Sequence, residues 1–129
     1  MRSSERHLFH RLLVVAEREV QKTIGALPPK LRARARVVPV VYEPRPDESL
    51  SREGIAPDSL GLFVGETFCD AYAGAHDLPA QVILYLMNIW EYANHDARYF
   101  REEVRRTYLH ELGHYLGLDE DDLAERDLD

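Results

Sequence analysis

His110-Glu111-Leu112-Gly113-His114-Tyr115-Leu116-Gly117 is the stretch on which the reading of this chain turns. Two His four residues apart lie about 40° apart around a helix, so both imidazoles leave one face and can bind one zinc ion. Glu111 lies about 100° from His110, beside such a metal and not on it, where a carboxylate can take a proton from water at the ion. Gly117 is where the helix should stop, because glycine adopts the left-handed conformation that ends helices at little cost. The turn it allows could fold Asp119 or Glu120 back as a third ligand. Two imidazoles, one carboxylate and an open position describe a catalytic zinc site, whereas a structural one is closed by four protein ligands.

Upstream of the motif, Asp96 is placed to cap the helix, which should run to about Leu116. With His110 as the zero of angle, Val104, Tyr108, Leu109, Leu112, Tyr115 and Leu116 cluster on the opposite half. That half should pack on a sheet while the His half faces a cleft. Glu103, Arg106 and Thr107 share the His side. Glu103 or Thr107 could accept the second N–H of a ligating imidazole, or could belong to a solvated face.

The rest of the chain supplies the partners of that helix. Ser4 is a candidate cap for a first helix, in which Leu8, Leu12, Ala16, Val20 and Ile24 recur every four residues until Gly25 and Pro28-Pro29. His7 and His10 lie on its polar side with no carboxylate or third His beside them, as surface residues. Lys30, Arg32, Arg34 and Arg36 suggest an extended strand whose basic face opposes Leu31, Ala33 and Ala35. Val37-Val38-Pro39-Val40-Val41-Tyr42 reads as a strand that Pro39 assigns to an edge or a bulge. Residues 43–60 read as a long polar loop, Leu62-Phe63-Val64 as a short strand and residues 65–79 as loop again. Val82 to Met87 is a continuous apolar run read as a strand, with a short helix beginning after Asn88.

Composition narrows the class. A chain of 129 residues is expected to form one domain over residues 1–129, with no apolar run long enough to cross a bilayer. The N-terminus carries charges on both sides of its apolar stretch and no small-residue cleavage site, so no signal peptide is expected. A single cysteine, Cys69, excludes an intrachain disulfide and suits a cytoplasmic protein. Residues 1–36 hold nine Lys or Arg against three acids (+6), and the remainder holds seven against twenty (−13), which together give −7. With an acidic chain and no aromatic residues among the basic ones, the Lys30–Arg36 stretch reads as a solvated face more than as a nucleic-acid surface.

The segment from His110 to Glu120 resembles the metzincin pattern with an acid in place of the last His. It is more closely similar to the minimal zincin-like metallopeptidases of bacteria, and the likeness extends to the amphipathic first helix, Val37 to Tyr42, Leu60-Gly61-Leu62-Phe63-Val64-Gly65 and Leu78 to Tyr85. The resemblance implies an α+β, minimal zincin-like fold: a small mixed sheet packed by an N-terminal helix and the active-site helix. It also supports the strand at Val82. It implies Zn2+ held by His110, His114 and a third ligand, with Glu120 at the equivalent of the last metzincin position and Asp119, Asp122 or Glu125 as alternatives. Glu111 then becomes the catalytic base, and a peptide or protein the substrate, with extended segments laid along an edge strand. No Met follows the motif, so the methionine turn of metzincins is missing and their substrate pockets do not carry over. An oxyanion-stabilising residue is unassigned, with Tyr85 the one suggestion. A zinc-binding module without hydrolysis, or a zinc hydrolase acting on a non-peptide bond, are the alternatives. Glu111 argues against the first, and only the basic stretch favours nucleic acid as a target of the second.

Overall fold

The computed structural model describes residues 2–67 and 79–117. The first helix, α1, spans Ser3–Gly25 and buries Leu12, Ala16, Val20 and Ile24, the stripe expected from the spacing of four. Its cap position is Arg2 rather than Ser4, and no side chain caps it. At an exposed terminus water can satisfy the first N–H groups, so no capping hydroxyl is required.

Residues 30–36 are not a strand. They lie in a second helix, α2, over Pro29–Ala35. Pro29 stands at the start of that helix, where its missing N–H and fixed φ are no handicap. Leu31 and Ala35, four apart, are buried while Ala33 is exposed, so the apolar period is helical and the alternation of Arg with small residues is coincidental. Arg32 and Arg34 fall in the last turn, where cations complement the helix dipole.

Strand β1 is shorter than the apolar run that announces it, Val40–Glu43 in place of residues 37–42. The N–H groups of Val37 and Val38 turn back to Arg34 and Ala35 carbonyls and finish α2. Pro39 has no N–H to give, but its carbonyl accepts from Val82 at 3.0 Å, which starts the pairing. Residues 43–60 include a 3-10 helix at Glu48–Glu53, capped by the Asp47 carboxylate accepting from Ser49 N–H. Strand β2 is Gly61–Val64 and β3 is Gln81–Tyr85. The sheet order is β1-β3-β2, with β3 parallel to β1 and antiparallel to β2. The sheet is therefore mixed, and among the described residues β1 is an edge strand, as Pro39 suggests.

Helix α3, Leu86–Tyr92, starts directly where β3 ends, earlier than the expected start after Asn88. Asn88 does not open the helix but sits buried within it, its amide donating to the carbonyls of Pro57 at 2.8 Å and Ser59 at 2.9 Å. A turn with Asn94 and His95 at positive φ leads into the last helix, α4, Ala97–Leu116. The Asp96 carboxylate accepts from Tyr99 N–H at 3.0 Å, and Gly117 follows at φ 72°, the expected cap and stop.

The core lies between α1, α4 and one face of the sheet. Val82 and Leu84 of β3 join Leu12, Ala16, Val20, Val104, Tyr108 and Leu112 there. Removal of these apolar surfaces from water is the main term favouring the fold. It fixes the rotation of α4, so that the opposite half of that helix faces the rim of the sheet at β2.

Candidate metal centre

Rotation of α4 about its axis brings His110, Glu111 and His114 together. Each offers one donor atom, and the three atoms lie within 4.8 Å of one another. The two imidazole rings are 4.8 Å apart between centroids and inclined at 65°. Glu111 Oε1 stands 3.2 Å from His114 Nδ1. The imidazoles are accessible, His114 about half exposed and His110 less so, whereas Glu111 is only 8% exposed. Imidazole and carboxylate donors grouped at an accessible surface suit zinc, which takes N and O ligands at short range.

What buries Glu111 is β2. A Cβ built on Gly61 would come within 2.7 Å of Thr107 Cγ2 and 3.2 Å of Glu111 Cγ, so glycine is what lets the strand run directly over the helix. Further along, Phe63 meets Tyr115 with ring centroids 6.0 Å apart, so β2 and α4 run side by side in the same direction. Gly61→Ala is expected to destabilise the fold by about 1–3 kcal/mol, because buried Thr107 has nowhere to move. Denaturant unfolding should show it. Without that contact, Ala in place of a strand glycine would stabilise instead.

The His half of α4 is thus less open than its polarity suggests. Glu103 and Thr107 are buried, and Thr107 Oγ1 donates to Glu103 Oε1 at 3.3 Å. Arg106 Nη1 meets the other oxygen, Oε2, at 3.4 Å. These residues, with Ser59, Leu60, Gly61, His110 and Glu111, surround a cleft of about 340 Å³. Asn88 helps to fix its far wall by holding Ser59 from below.

Tyr85 is not part of this cleft. It alternates with Leu84, which faces the core, and is fully buried with a hydroxyl that has no hydrogen-bond partner among the described residues. Burial first, and the Glu43 carboxylate second, push its phenol above the ordinary range. Tyr85→Phe is expected to leave any turnover unchanged, since it removes a buried hydroxyl, unpaired among the described residues, from a side chain that does not line the cleft. A steady-state assay of the variant checks this. Arg106 is the cationic side chain that does line the cleft.

His7 and His10 are exposed on α1, as expected. Glu120, Asp119, Asp122, Glu125 and Cys69 lie outside the described residues. Gly61 and Asn88 are the contributors that sequence reasoning passed over, while Arg106 was placed on the His side without a role. A glycine inside a strand and a lone Asn inside an apolar run were the available signals for the first two.

Residues 35–129 match a family model described as zincin-like metallopeptidase, a span that takes in the sheet and α4 but leaves out α1. Among curated proteins none matches the chain.

Proposed function

The chain belongs to the zincin-like metallopeptidase family, and from that premise we propose that it hydrolyses peptide bonds, with zinc held by His110 and His114 and with Glu111 as general base. One observation carries the proposal: two accessible imidazoles and a buried carboxylate meet within 4.8 Å at the mouth of a cleft.

When bound, zinc supplies Lewis acidity that brings the pKa of water towards about 7 and polarises a carbonyl. The work of this chain is positional and proton-handling. Glu111 accepts the proton of the attacking water on a carboxylate oxygen and delivers it to the departing amine nitrogen. Its placement between β2 and α4 holds that carboxylate in one position, so both transfers run over a short, fixed path. Among the described residues β2 is also an edge strand, and its unpaired backbone can receive an extended segment of substrate beside Glu111.

The third ligand is Glu120 in this account, ten residues after His110 and beyond Gly117, the left-handed residue that ends α4. Glu120→Ala should weaken zinc binding by at least about tenfold while Asp119→Ala stays near wild type, read by competition with a chromogenic chelator. Unchanged affinity in the double variant would move the third ligand elsewhere. Cleavage of a mixed peptide library, compared with single-stranded RNA and each with and without chelator, tests the function itself. The proposal expects chelator-sensitive cleavage of peptides alone. Cleavage of RNA, or of neither, would favour a zinc hydrolase of another class or a binding module.

A further inference from the structure

The cleft beside His110 does not end at Glu103. Glu103 and Arg106 also line a second cavity, of about 470 Å³, whose other walls include Tyr92, Asn94, Tyr99 and Glu102. The two spaces follow each other along one side of α4. Tyr92 at 62% and Tyr99 at 60% are the large aromatic side chains left mainly exposed among the described residues, and both stand at this cavity.

Its charges are unequally committed. Glu103 is held by Thr107 and Arg106, and Arg106 in turn by Glu103. Among the described residues Glu102 pairs with Arg98, at 3.6 Å, through side chains that are 52% and 80% exposed. A pair so open to solvent binds weakly and yields to a cation presented with an apolar surface. Tyrosine rings attract a cation to their faces, and the methylene stem of Lys or Arg covers the ring while its head reaches a carboxylate. The chain carries a net charge of −7, which favours the approach of cationic peptides over anionic ones.

We propose that Tyr92, Tyr99 and Glu102 form a specificity pocket for a Lys or Arg side chain of the peptide substrate, an inference that rests on the peptidase reading above. Glu102 lies eight residues before His110. That offset is about 12 Å along a helix, which an extended peptide covers in about three to four residues. The basic residue therefore sits that far from the bond that is cut.

The test uses capped Ala/Ser peptides in which Lys, Leu or Glu is placed at each position in turn. Their affinity for the Glu111→Gln chain is measured by calorimetry, and their cleavage by the zinc-loaded wild type is measured separately. At one position Lys should bind at least about tenfold tighter than Leu or Glu. The double variant Tyr99→Ala/Glu102→Gln, made in exposed side chains, should abolish that advantage, so that Lys and Leu peptides bind with equal affinity. Equal affinities, a preference for Leu or Glu, or a Lys advantage that survives the double variant would overturn the pocket. If Lys peptides bind in the expected pattern but none is cleaved, the pocket stands and the peptidase reading falls. If peptides are cleaved without regard to Lys, the reverse holds.

Discussion

Glu111→Gln is expected to keep a full complement of zinc and to lose peptide hydrolysis by about 10² or more. The amide has nearly the shape of the carboxylate, so the close fit under Gly61, where Glu111 Cγ stands 3.2 Å from a built Cβ, is preserved. What the amide cannot do is accept a proton. A base that acts twice, on the attacking water and then towards the leaving amine, should therefore be lost in kcat more than in KM. Metal analysis distinguishes the roles: loss of zinc together with activity would mark Glu111 as a ligand, a role its 3.2 Å approach to His114 keeps chemically open.

His110→Ala and His114→Ala should each abolish stoichiometric zinc and with it all hydrolysis, while the chain remains folded. Folding should survive because neither imidazole belongs to the core. His114 is exposed and His110 partly so, whereas the neighbours that hold α4 in place, Leu109, Leu112 and Tyr115, are buried. The loss is expected to be large because imidazoles on successive turns of one helix act as a chelating pair, and one alone binds zinc far more weakly. Circular dichroism beside metal analysis of the purified variants checks both halves. Full zinc in the double variant would remove the site from this helix.

The helix that carries His110 and His114 was the most legible part of the sequence. Asp96, the apolar half from Val104 to Tyr115 and Gly117 each mark a local physical requirement, and all three are met where expected. The first helix followed from periodicity in the same way, whereas the small mixed sheet, and its Val82 strand above all, rested on the family resemblance, because a continuous apolar run has no period to read. Residues 30–36 misled because Arg and small residues at alternate positions mimic a strand. The deciding facts were Pro29 at a helix start and burial of Leu31 with Ala35, which only tertiary packing makes plain. The cleft was legible in its ligands but not in its walls. Gly61 matters because of what passes beneath it, and Asn88 because of carbonyls about 30 residues away in the chain. Contacts between distant segments leave no periodic trace. Tyr85 failed as a candidate for the same reason, since nothing in its neighbours tells which face of the sheet it takes.

The central claim is that hydrolysis depends on one metal ion at His110 and His114, and it is tested most directly by titrating zinc into the stripped protein while following cleavage of a mixed peptide library. Turnover should rise in proportion to zinc, stop rising at one equivalent per chain, and vanish again on addition of chelator. Cleavage by the stripped protein, or none by a folded protein carrying one zinc per chain, would contradict it.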